Sequence, residues 1–340
     1  MREQLLNPSE AAKRLGVSAK ALRLYERHGL LKPIRTAAGW RTYGAAEMAR
    51  AAEIAALRAL GLSLAQVGRV LRGDPGCLEP ALGLHQAGLE DRIRQLAAAA
   101  EKVRTIRADL AQGKAPAIGE LARLVRPAGE IKVAFDLPWP WGGEWFELRD
   151  IRPLNYIIGP LGSGKTRLAL AIAEHLPDAV FIGLDRLADR GLQPTSSRVD
   201  QILTWLVEDG AEVSPALVSL VAALESEGAM NRVVDMVEQG LNHATQEALI
   251  SYLRHRHAGA PSLFLLTRSS ALLDLAAVGP EETIILCPAN HSPPTQVAPY
   301  PGAPGYEAVA TCLASPEVRA RTEGVVAMRA EITSRSAGGA

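Results

Sequence analysis

Residues 7–43 read NPSEAAKRLGVSAKALRLYERHGLLKPIRTAAGWRTY, and this stretch decides the fold of the N-terminal part of the chain. Asn7 is a favoured N-cap residue, Pro8 suits the first helical position, and Glu10 completes a capping box. These residues predict a short helix that begins after Asn7. Gly16 is a typical residue for the end of that helix.

A second helix is predicted to follow almost at once. Ser18 is its N-cap, and Gly29 lies just beyond its end at His28. Leu22 is expected to pack inward, whereas the polar and basic side chains of this helix can point outward, namely Lys20, Arg23, Tyr25 and Arg27. Two short helices joined by a glycine turn, the second one basic, are typical of a helix-turn-helix.

The chain after the second helix predicts a small wing. Pro33 and the turn formers Ala38 and Gly39 precede residues 40–43, WRTY. This pattern favours two short strands whose tip carries basic and aromatic side chains.

This order of parts resembles the MerR family of transcription regulators. The family pattern of Leu-Arg-x-Tyr-Glu, Gly-Leu-Leu and Gly-aromatic-Arg-x-Tyr stands here at residues 22–26, 29–31 and 39–43. The resemblance implies that Arg23, Tyr25, Arg41 and Tyr43 contact DNA, mostly through phosphates, and Lys20 is expected on the same surface. An alternative stays open for Tyr25 and Tyr43, which could instead be core or hinge aromatics.

The net charge of zero hides an uneven distribution along the chain. Residues 1–75 hold 13 Lys and Arg against 6 Asp and Glu, whereas residues 127–340 hold 16 against 25. DNA phosphates require a positive surface, so this distribution predicts DNA contact at the N-terminal end. The acidic remainder is expected to avoid nucleic acid.

Two further helices, over residues 45–60 and 63–72, complete an all-α winged helix-turn-helix domain at residues 1–75. Ser63 and Gln66 form a second capping box at the start of the last helix. A long helix over residues 79–112 is then predicted, within a segment that we place at 76–113.

The long helix carries the pattern of a coiled-coil dimerisation helix. Counting alternately four and three residues from Leu82, seven of nine positions are apolar, which is typical of a coiled-coil seam. The expected dimer contacts are Leu89, Ile93, Leu96 and Val103. In the MerR family this helix pairs antiparallel in a homodimer that binds a palindromic double-stranded DNA operator and acts with RNA polymerase at the promoter. A helix packed on its own domain is the alternative.

After a linker at 114–130, residues 131–290 are predicted to form an α/β nucleotide-binding domain. Residues 159–166, GPLGSGKT, match the P-loop pattern and lie between an apolar strand and a predicted helix. Backbone N–H groups and the Lys165 ammonium are expected to bind the phosphates of ATP or ADP, and the Thr166 hydroxyl to hold Mg²⁺. The predicted phosphate-binding residues are Gly159, Gly162, Ser163, Gly164, Lys165 and Thr166.

Residues 232–250 and 262–270 resemble the Walker B to D-loop stretch and the switch region of ABC-type ATPases. The resemblance places Asp235 at the Walker B aspartate, near Mg²⁺. It also places Met236 at the general-base glutamate, Asn242 at the D-loop aspartate and Arg268 at the switch histidine. Neither a thioether nor a guanidinium takes a proton from water, so we expect at most slow ATP hydrolysis. Glu238 is the candidate for a substitute base.

Trp139 and Trp141 lie about 25 residues before Lys165 in an LPWPWGG run. An aromatic side chain upstream of the P-loop stacks on adenine in ABC-type ATPases, and these two tryptophans are the candidates. The alternative is that they pack against their own domain or a partner subunit.

The rest of the chain sets limits on location and ligands. Cys77, Cys287 and Cys312 are few and far apart, which fits a reducing cytoplasmic compartment. No structural metal is expected, because residues 113–133 add no Cys or His to Cys77. No apolar run reaches the length of a bilayer span, so no membrane partner is expected. A Pro-rich loop at 291–305, a helix at 306–333 and a tail at 334–340 complete the chain.

These observations predict a homodimeric DNA-binding regulator whose operator binding responds to ATP or ADP in a hydrolysis-impaired domain. The chief alternative is an active P-loop ATPase or kinase that carries a DNA-binding tether, with Asp185, Arg186 and residues 190–198 as the lid candidates. In a third reading, the nucleotide is structural and another small molecule is the effector.

Overall fold

The computed structural model describes residues 5–112, 114, 133–149, 151–187, 196–226, 228–256 and 260–313. Its N-terminal region is mainly helical, with a two-stranded antiparallel ribbon between the second and third helices. The elements are α1 (Pro8–Leu15), α2 (Ala19–Arg27), β1 (Ile34–Arg35), β2 (Arg41–Thr42), α3 (Ala45–Ala59), α4 (Leu64–Leu71) and α5 (Leu78–Ala111).

The predicted helix starts in this region are confirmed. The Asn7 side chain accepts the N–H of Glu10 at 3.0 Å, and the Glu10 carboxylate accepts the N–H of Asn7 at 3.0 Å. Ser63 and Gln66 form the same reciprocal pair at the start of α4. Each pair satisfies backbone donors that the first turn of a helix leaves without a partner.

Two aromatic residues predicted to contact DNA lie in the core of the helical region. Tyr25 is 4% exposed and Tyr43 is fully buried. Tyr25 is three residues from Leu22, so the two side chains share the inward face of α2. Tyr43 pairs through its backbone with Leu6, which holds the residue between strand β2 and the start of the chain. The prediction of direct DNA contact by these two rings was wrong, and the core alternative is correct.

The long helix α5 spans 34 residues. Its predicted seam residues are exposed in the single chain, with Leu89 at 50%, and Ile93 and Leu96 each at 64%. Pairing of this helix with a second copy stays a prediction.

The second region is an α/β domain. Its elements are β3 (Val133–Asp136), β4 (Trp145–Leu148), β5 (Leu154–Ile158), α6 (Lys165–His175), β6 (Ala179–Ile182), a 3₁₀ turn (Leu184–Leu187), α7 (Ser197–Glu208), α8 (Pro215–Leu224), β7 (Asn231–Val234), α9 (His243–Arg254), β8 (Ser262–Leu266), β9 (Glu282–Leu286), β10 (Thr295–Val297) and α10 (Tyr306–Cys312). Strands β3 and β4 form an antiparallel hairpin that packs on α6.

Six strands form the central sheet in the order β10-β9-β5-β8-β7-β6. All neighbours are parallel except β10, which runs antiparallel to β9 at the edge. All five residues of β5 are buried, as expected for a strand covered on both faces. Parallel strands bring their carboxyl ends to one edge of the sheet, where the loops after β5, β7 and β8 meet.

The structure corrects one prediction for the C-terminal end of the chain and covers only part of another. Residues 291–305 were predicted to be loop throughout, but β10 lies within them because its three residues pair with β9. The prolines of this segment flank the strand, and an edge strand tolerates such neighbours. The helix predicted at 306–333 is described only as α10; its remainder, the 334–340 tail and the 115–130 part of the linker lie outside the described residues.

The helical region and the α/β domain meet at a buried ion pair. Arg58 on α3 donates to the two carboxylate oxygens of Asp209 at 2.6 and 3.0 Å. The two residues are 8% and 2% exposed. Asp209 also accepts the N–H of Leu64 at 2.8 Å, so one carboxylate from the end of α7 serves both α3 and the start of α4.

Polar contacts around this pair extend the junction. Glu208 accepts the Ser63 hydroxyl at 2.8 Å and pairs with Arg69 at 3.1 Å. The indole N–H of Trp205 donates to the carbonyl of Gly61 at 3.1 Å. The two regions therefore share an interface with directional contacts.

Replacing Asp209 with alanine should destabilise the protein, because it leaves the Arg58 guanidinium buried without its carboxylate. We expect the free energy of unfolding in urea to fall by about 3 kcal/mol. Glu53→Ala is the control, since it removes an exposed pair with Arg50 and should cost less than about 0.5 kcal/mol. Equal losses in the two variants would contradict the role of the buried pair.

Candidate functional site

The loop between β5 and α6 has the backbone of a phosphate cradle. Gly162 and Gly164 have φ of +78° and +89°, in the left-handed region that favours glycine. A Cβ atom on Gly164 would lie 2.6 Å from the ring of Trp141, and one on Gly159 would lie 2.4 Å from the carbonyl of Cys287. Gly164 therefore requires glycine for both space and backbone conformation, and Gly159 requires it for space.

Lys165 begins α6 and turns its ammonium back over this loop. Its Nζ donates to the carbonyls of Gly159 at 2.9 Å and Pro160 at 2.7 Å. Burial lowers the pKa of Lys165, and the positive charge of Arg268 acts in the same direction. The Ser163 hydroxyl is buried and has no hydrogen-bond partner within the described residues. A cation and an unpaired hydroxyl beside the glycine loop fit an anionic ligand.

An acidic side chain meets the end of this loop. Asp235 follows β7, and its Oδ2 accepts the hydroxyl of Thr166 at 3.2 Å. Strand β8 lies between β5 and β7, so the two residues approach each other across the end of an intervening strand. A hydroxyl and a buried carboxylate are oxygen ligands of the kind that Mg²⁺ prefers.

The residue after Asp235 is held in an unusual conformation. Met236 has φ of +43°, which a side chain of its type rarely adopts. Arg186 donates to the carbonyls of both Asp235 and Met236 at 2.8 Å. Burial lowers the pKa of Arg186. This arginine was a candidate for a mobile kinase lid, but its guanidinium is fixed to the backbone at the end of β7.

Glu238 and Arg268 meet in the same region. One carboxylate oxygen of Glu238 accepts the backbone N–H of Arg268 at 2.9 Å, and the other is buried with no hydrogen-bond partner among the described residues. Glu238 therefore holds the segment that follows β8 against the segment that follows β7.

The two candidate stacking tryptophans differ sharply. Trp139 is 77% exposed, whereas Trp141 is 5% exposed and lies under the P-loop against Gly164. The indole N–H of Trp141 donates to the carbonyl of Ser292 at 3.1 Å. Stacking of adenine on Trp141 is therefore a wrong prediction, because both faces of the ring are covered. Trp139 stays a candidate.

Sequence reasoning missed a histidine at the P-loop. His291 Nε2 lies 3.0 Å from the carbonyl of Gly162. The residue sits in the Pro-rich segment after β9, far along the chain, and no local motif marks it. Its position depends on the strand order, which brings β9 beside β5.

The three basic side chains predicted to contact DNA, Lys20, Arg23 and Arg41, differ in their surroundings, and Arg41 shares its partner with Arg35. Arg23 is exposed on α2. Arg41 and Arg35 pair with Glu26; partial burial alone would raise the pKa of Glu26, but the hydrogen bonds and charges of these arginines outweigh it and lower that pKa. Lys20 instead contacts the α/β domain, at Glu247 and Ser270.

The described part of the chain has neither a membrane-spanning helix nor a metal-binding cluster. None of its helices combines the length and apolar character that a membrane span requires. Within the same residues, no group of three or more His, Cys, Asp or Glu side chains is arranged to hold a metal ion.

The fold, the glycine-rich loop at residues 159–166 and the basic helix α2 define a helix-turn-helix protein that carries a P-loop α/β domain. The family model described as "MerR HTH family regulatory protein" matches residues 6–74. A probable heavy metal-dependent transcriptional regulator of Haemophilus influenzae is 37% identical over 105 residues, which cover 29% of this chain and 82% of that protein. The HTH-type transcriptional regulator HmrR of Sinorhizobium medicae is 37% identical over 109 residues, covering 30% of this chain and 72% of that protein. This chain belongs to the MerR family of transcriptional regulators.

Solved structures similar to this chain fall into two groups. A MerR family regulator lacking the sensor domain, bound to promoter DNA, covers 33% of this chain and 97% of its own, with a TM-score of 0.27 and 20% identity. A putative metal-chelate type ABC transporter covers 49% of this chain and 81% of its own, with a TM-score of 0.32 and 17% identity. A dimeric bacterial ABC transporter cassette covers 46% and 92%, with a TM-score of 0.26 and 11% identity.

The thiol beneath the P-loop should be chemically inert. Burial raises the pKa of Cys287 to about 12. Because the thiolate is the reactive form, only about one molecule in 10,000 carries it at pH 8. We expect iodoacetamide at pH 8 to leave Cys287 unmodified in the folded protein and to label it after denaturation, as read by peptide mass spectrometry. Half-buried Cys77 serves as the internal comparison, and equal labelling rates for the two thiols would contradict this expectation.

Proposed function

We propose that this protein is a homodimeric MerR-type regulator whose operator binding is modulated by ATP or ADP, with Mg²⁺, in its P-loop domain. The helical region would read a palindromic DNA operator, and α5 would join two copies. Impaired hydrolysis suits this role, because a site that consumed its ligand quickly would report turnover instead of concentration.

The contact between Thr166 and Asp235 is the main support for the proposal that this domain binds a nucleotide with Mg²⁺. A P-loop hydroxyl 3.2 Å from a buried carboxylate supports a Mg²⁺ site next to the phosphate cradle. The Lys165 ammonium and the unpaired Ser163 hydroxyl supply donors for phosphate oxygens. Exposed Trp139 is the candidate surface for the base.

The exposed apolar row on α5 supports the homodimer. Its members are three, four or seven residues apart, so they lie on one side of the helix, and each is 42% exposed or more: Leu82, Leu89, Ile93, Leu96, Val103 and Leu110. A row of this kind left open to water is unfavourable, and a second copy of the same helix would cover it.

Coupling between the two sites would pass through the geometry of the dimer. Nucleotide binding would bias the angle of α5, and thereby the separation of the two DNA-reading regions and the twist of the operator. DNA distortion carries an energy that depends on sequence, so it suits regulation at a promoter together with RNA polymerase. A differential affinity of about 1 to 3 kcal/mol is enough for such coupling.

ATP hydrolysis by the purified protein should be slow. Met236 stands where a general base is expected, and its side chain cannot accept a proton. We expect phosphate release below about 1 s⁻¹, the lower end of ordinary enzyme turnover. Faster release, or transfer of phosphate to a small acceptor, would instead favour the ATPase or kinase alternative.

An operator titration tests the coupling. Wild-type protein without nucleotide, with ATP and with ADP should differ in operator affinity or promoter output by roughly 5-fold to 150-fold. Lys165→Ala removes the ammonium from the cradle, so nucleotide affinity should fall at least about 10-fold, for a charge-assisted hydrogen bond lost. The three states of this variant should then become equal.

Arg23→Ala is the matched control on the DNA side. It should weaken operator binding in all three states while leaving nucleotide affinity unchanged. If wild-type protein bound the operator equally in every state, with equal output, nucleotide would be a structural component and another molecule the effector.

A further inference from the structure

The outward face of the second helix of the helix-turn-helix is not open to solvent along its whole length. Lys20 and Arg27 are seven residues apart on α2, so their side chains lie on one face, opposite Leu22 and Tyr25 in the core. In a helix-turn-helix, the outward face of this helix is the one that enters the major groove. Lys20 and Arg27 both contact the α/β domain, whereas Arg23 is exposed.

One carboxylate holds both side chains. Glu247 on α9 lies 3.4 Å from Nζ of Lys20 and 3.0 Å from Nη1 of Arg27. Its side chain is 6% exposed, and Nδ1 of His243 lies 3.6 Å from it. Lys20 also donates to the carbonyl of Ser270 at 3.2 Å. We name Glu247 and the Ser270 carbonyl the docking surface.

We propose that the docking surface and the DNA backbone compete for the same two cations. Glu247 takes the position of a phosphate, because it offers two anionic oxygens to a lysine and an arginine. With the docking surface in place, Lys20 and Arg27 are held by the α/β domain and are not available to phosphates, although Arg23 on the same helix stays exposed. DNA binding through these two cations therefore requires α2 to leave the α/β domain.

The junction around Asp209 and the docking surface differ in how easily they separate. Arg58 and Asp209 have side chains 9% and 0% exposed. In contrast, the side chains of Lys20 and Arg27 are 30% and 55% exposed. Water and salt reach the second set and weaken it. Release of α2 thus begins at Glu247, while the Arg58 pair keeps the two regions together as a pivot.

The docking surface is built on the segments that surround the candidate nucleotide site. Ser270 belongs to the segment after β8, which Glu238 holds through the N–H of Arg268. Ser269 lies between Arg268 and Ser270, and its hydroxyl donates to the side chain of Gln246 at 2.5 Å. Gln246 is the residue immediately before Glu247. Any shift of the segment after β8 on nucleotide binding would move both parts of the docking surface. This link to nucleotide rests on the proposed function, whereas the competition with DNA does not.

Neutralising Glu247 tests the competition. Without nucleotide, Glu247→Gln should bind the operator about tenfold more tightly than wild type, and Glu247→Lys, which repels the two cations, more tightly still. Glu225→Gln and Glu225→Lys are the matched controls. They make the same charge changes at a carboxylate that pairs with Arg198 inside the α/β domain. Equal affinities in the Glu247 and Glu225 series would overturn the proposal.

A second measurement uses only the wild-type chain and so does not depend on how the variants fold. Adding operator DNA should speed amide hydrogen exchange in residues 268–271 and in the first turn of α9, because these segments lose their contact with α2. Unchanged or slower exchange there would mean that DNA binds without undocking, and would also overturn the proposal.

Repeating the operator titration with ATP and with ADP separates this inference from the proposed function. If ATP or ADP changes the operator affinity of wild type but not that of Glu247→Gln, the response runs through the docking surface. An equal response in both proteins would overturn that link. If wild type does not respond while Glu247→Gln still binds the operator more tightly, the proposed function fails and the competition stands.

Discussion

The relation between the two halves of this protein depends on one buried carboxylate. Asp209 accepts two hydrogen bonds from Arg58, 151 residues away in sequence, and one from the backbone of Leu64, 145 residues away. Taking either charge out of water alone is costly, so each partner is tolerated only while the other stays in place. The net gain over an apolar contact is small. The pair therefore acts chiefly by specifying orientation, and the contacts of α2 with α9 follow from the orientation that it sets.

Features of the structure that depend on neighbours three or four residues away could be read from the sequence. The capping boxes at Asn7 and Ser63 are of this kind, as is the P-loop between a buried strand and a helix. Side-chain direction was harder to predict. Tyr25 matches a family motif, and its chemistry suits a phosphate, yet its angular position beside Leu22 places it in the core. The junction at Asp209 carries no local signal, because its partners come together only through the tertiary fold.

The P-loop shows why the role of Trp141 could not be predicted. Its distance in sequence from Lys165 suited a stacking residue, and the number of intervening residues is all that a motif provides. In the structure the ring fills the space beside Gly164 that a Cβ atom would occupy. The tryptophan and the glycine are thus complementary, and the ring supports the shape of the cradle from below. The role of Trp141 is to shape the site, whereas exposed Trp139 stays a candidate to stack on the base.

Lys20 illustrates a general limit on assigning partners to charged residues. Sequence identifies a cation on the outward face of a basic helix, but not which anion it meets. The same uneven charge that suits the N-terminal region for DNA also makes the acidic remainder of the chain attractive to it. The contact of Lys20 with DNA and its contact with the acidic domain both weaken as salt rises, so ionic strength alone does not determine which anion it binds. The choice depends on geometry. DNA offers an extended row of phosphates to every cation on the helix, whereas the α/β domain offers one carboxylate and one carbonyl, positioned by the segments around the candidate nucleotide site.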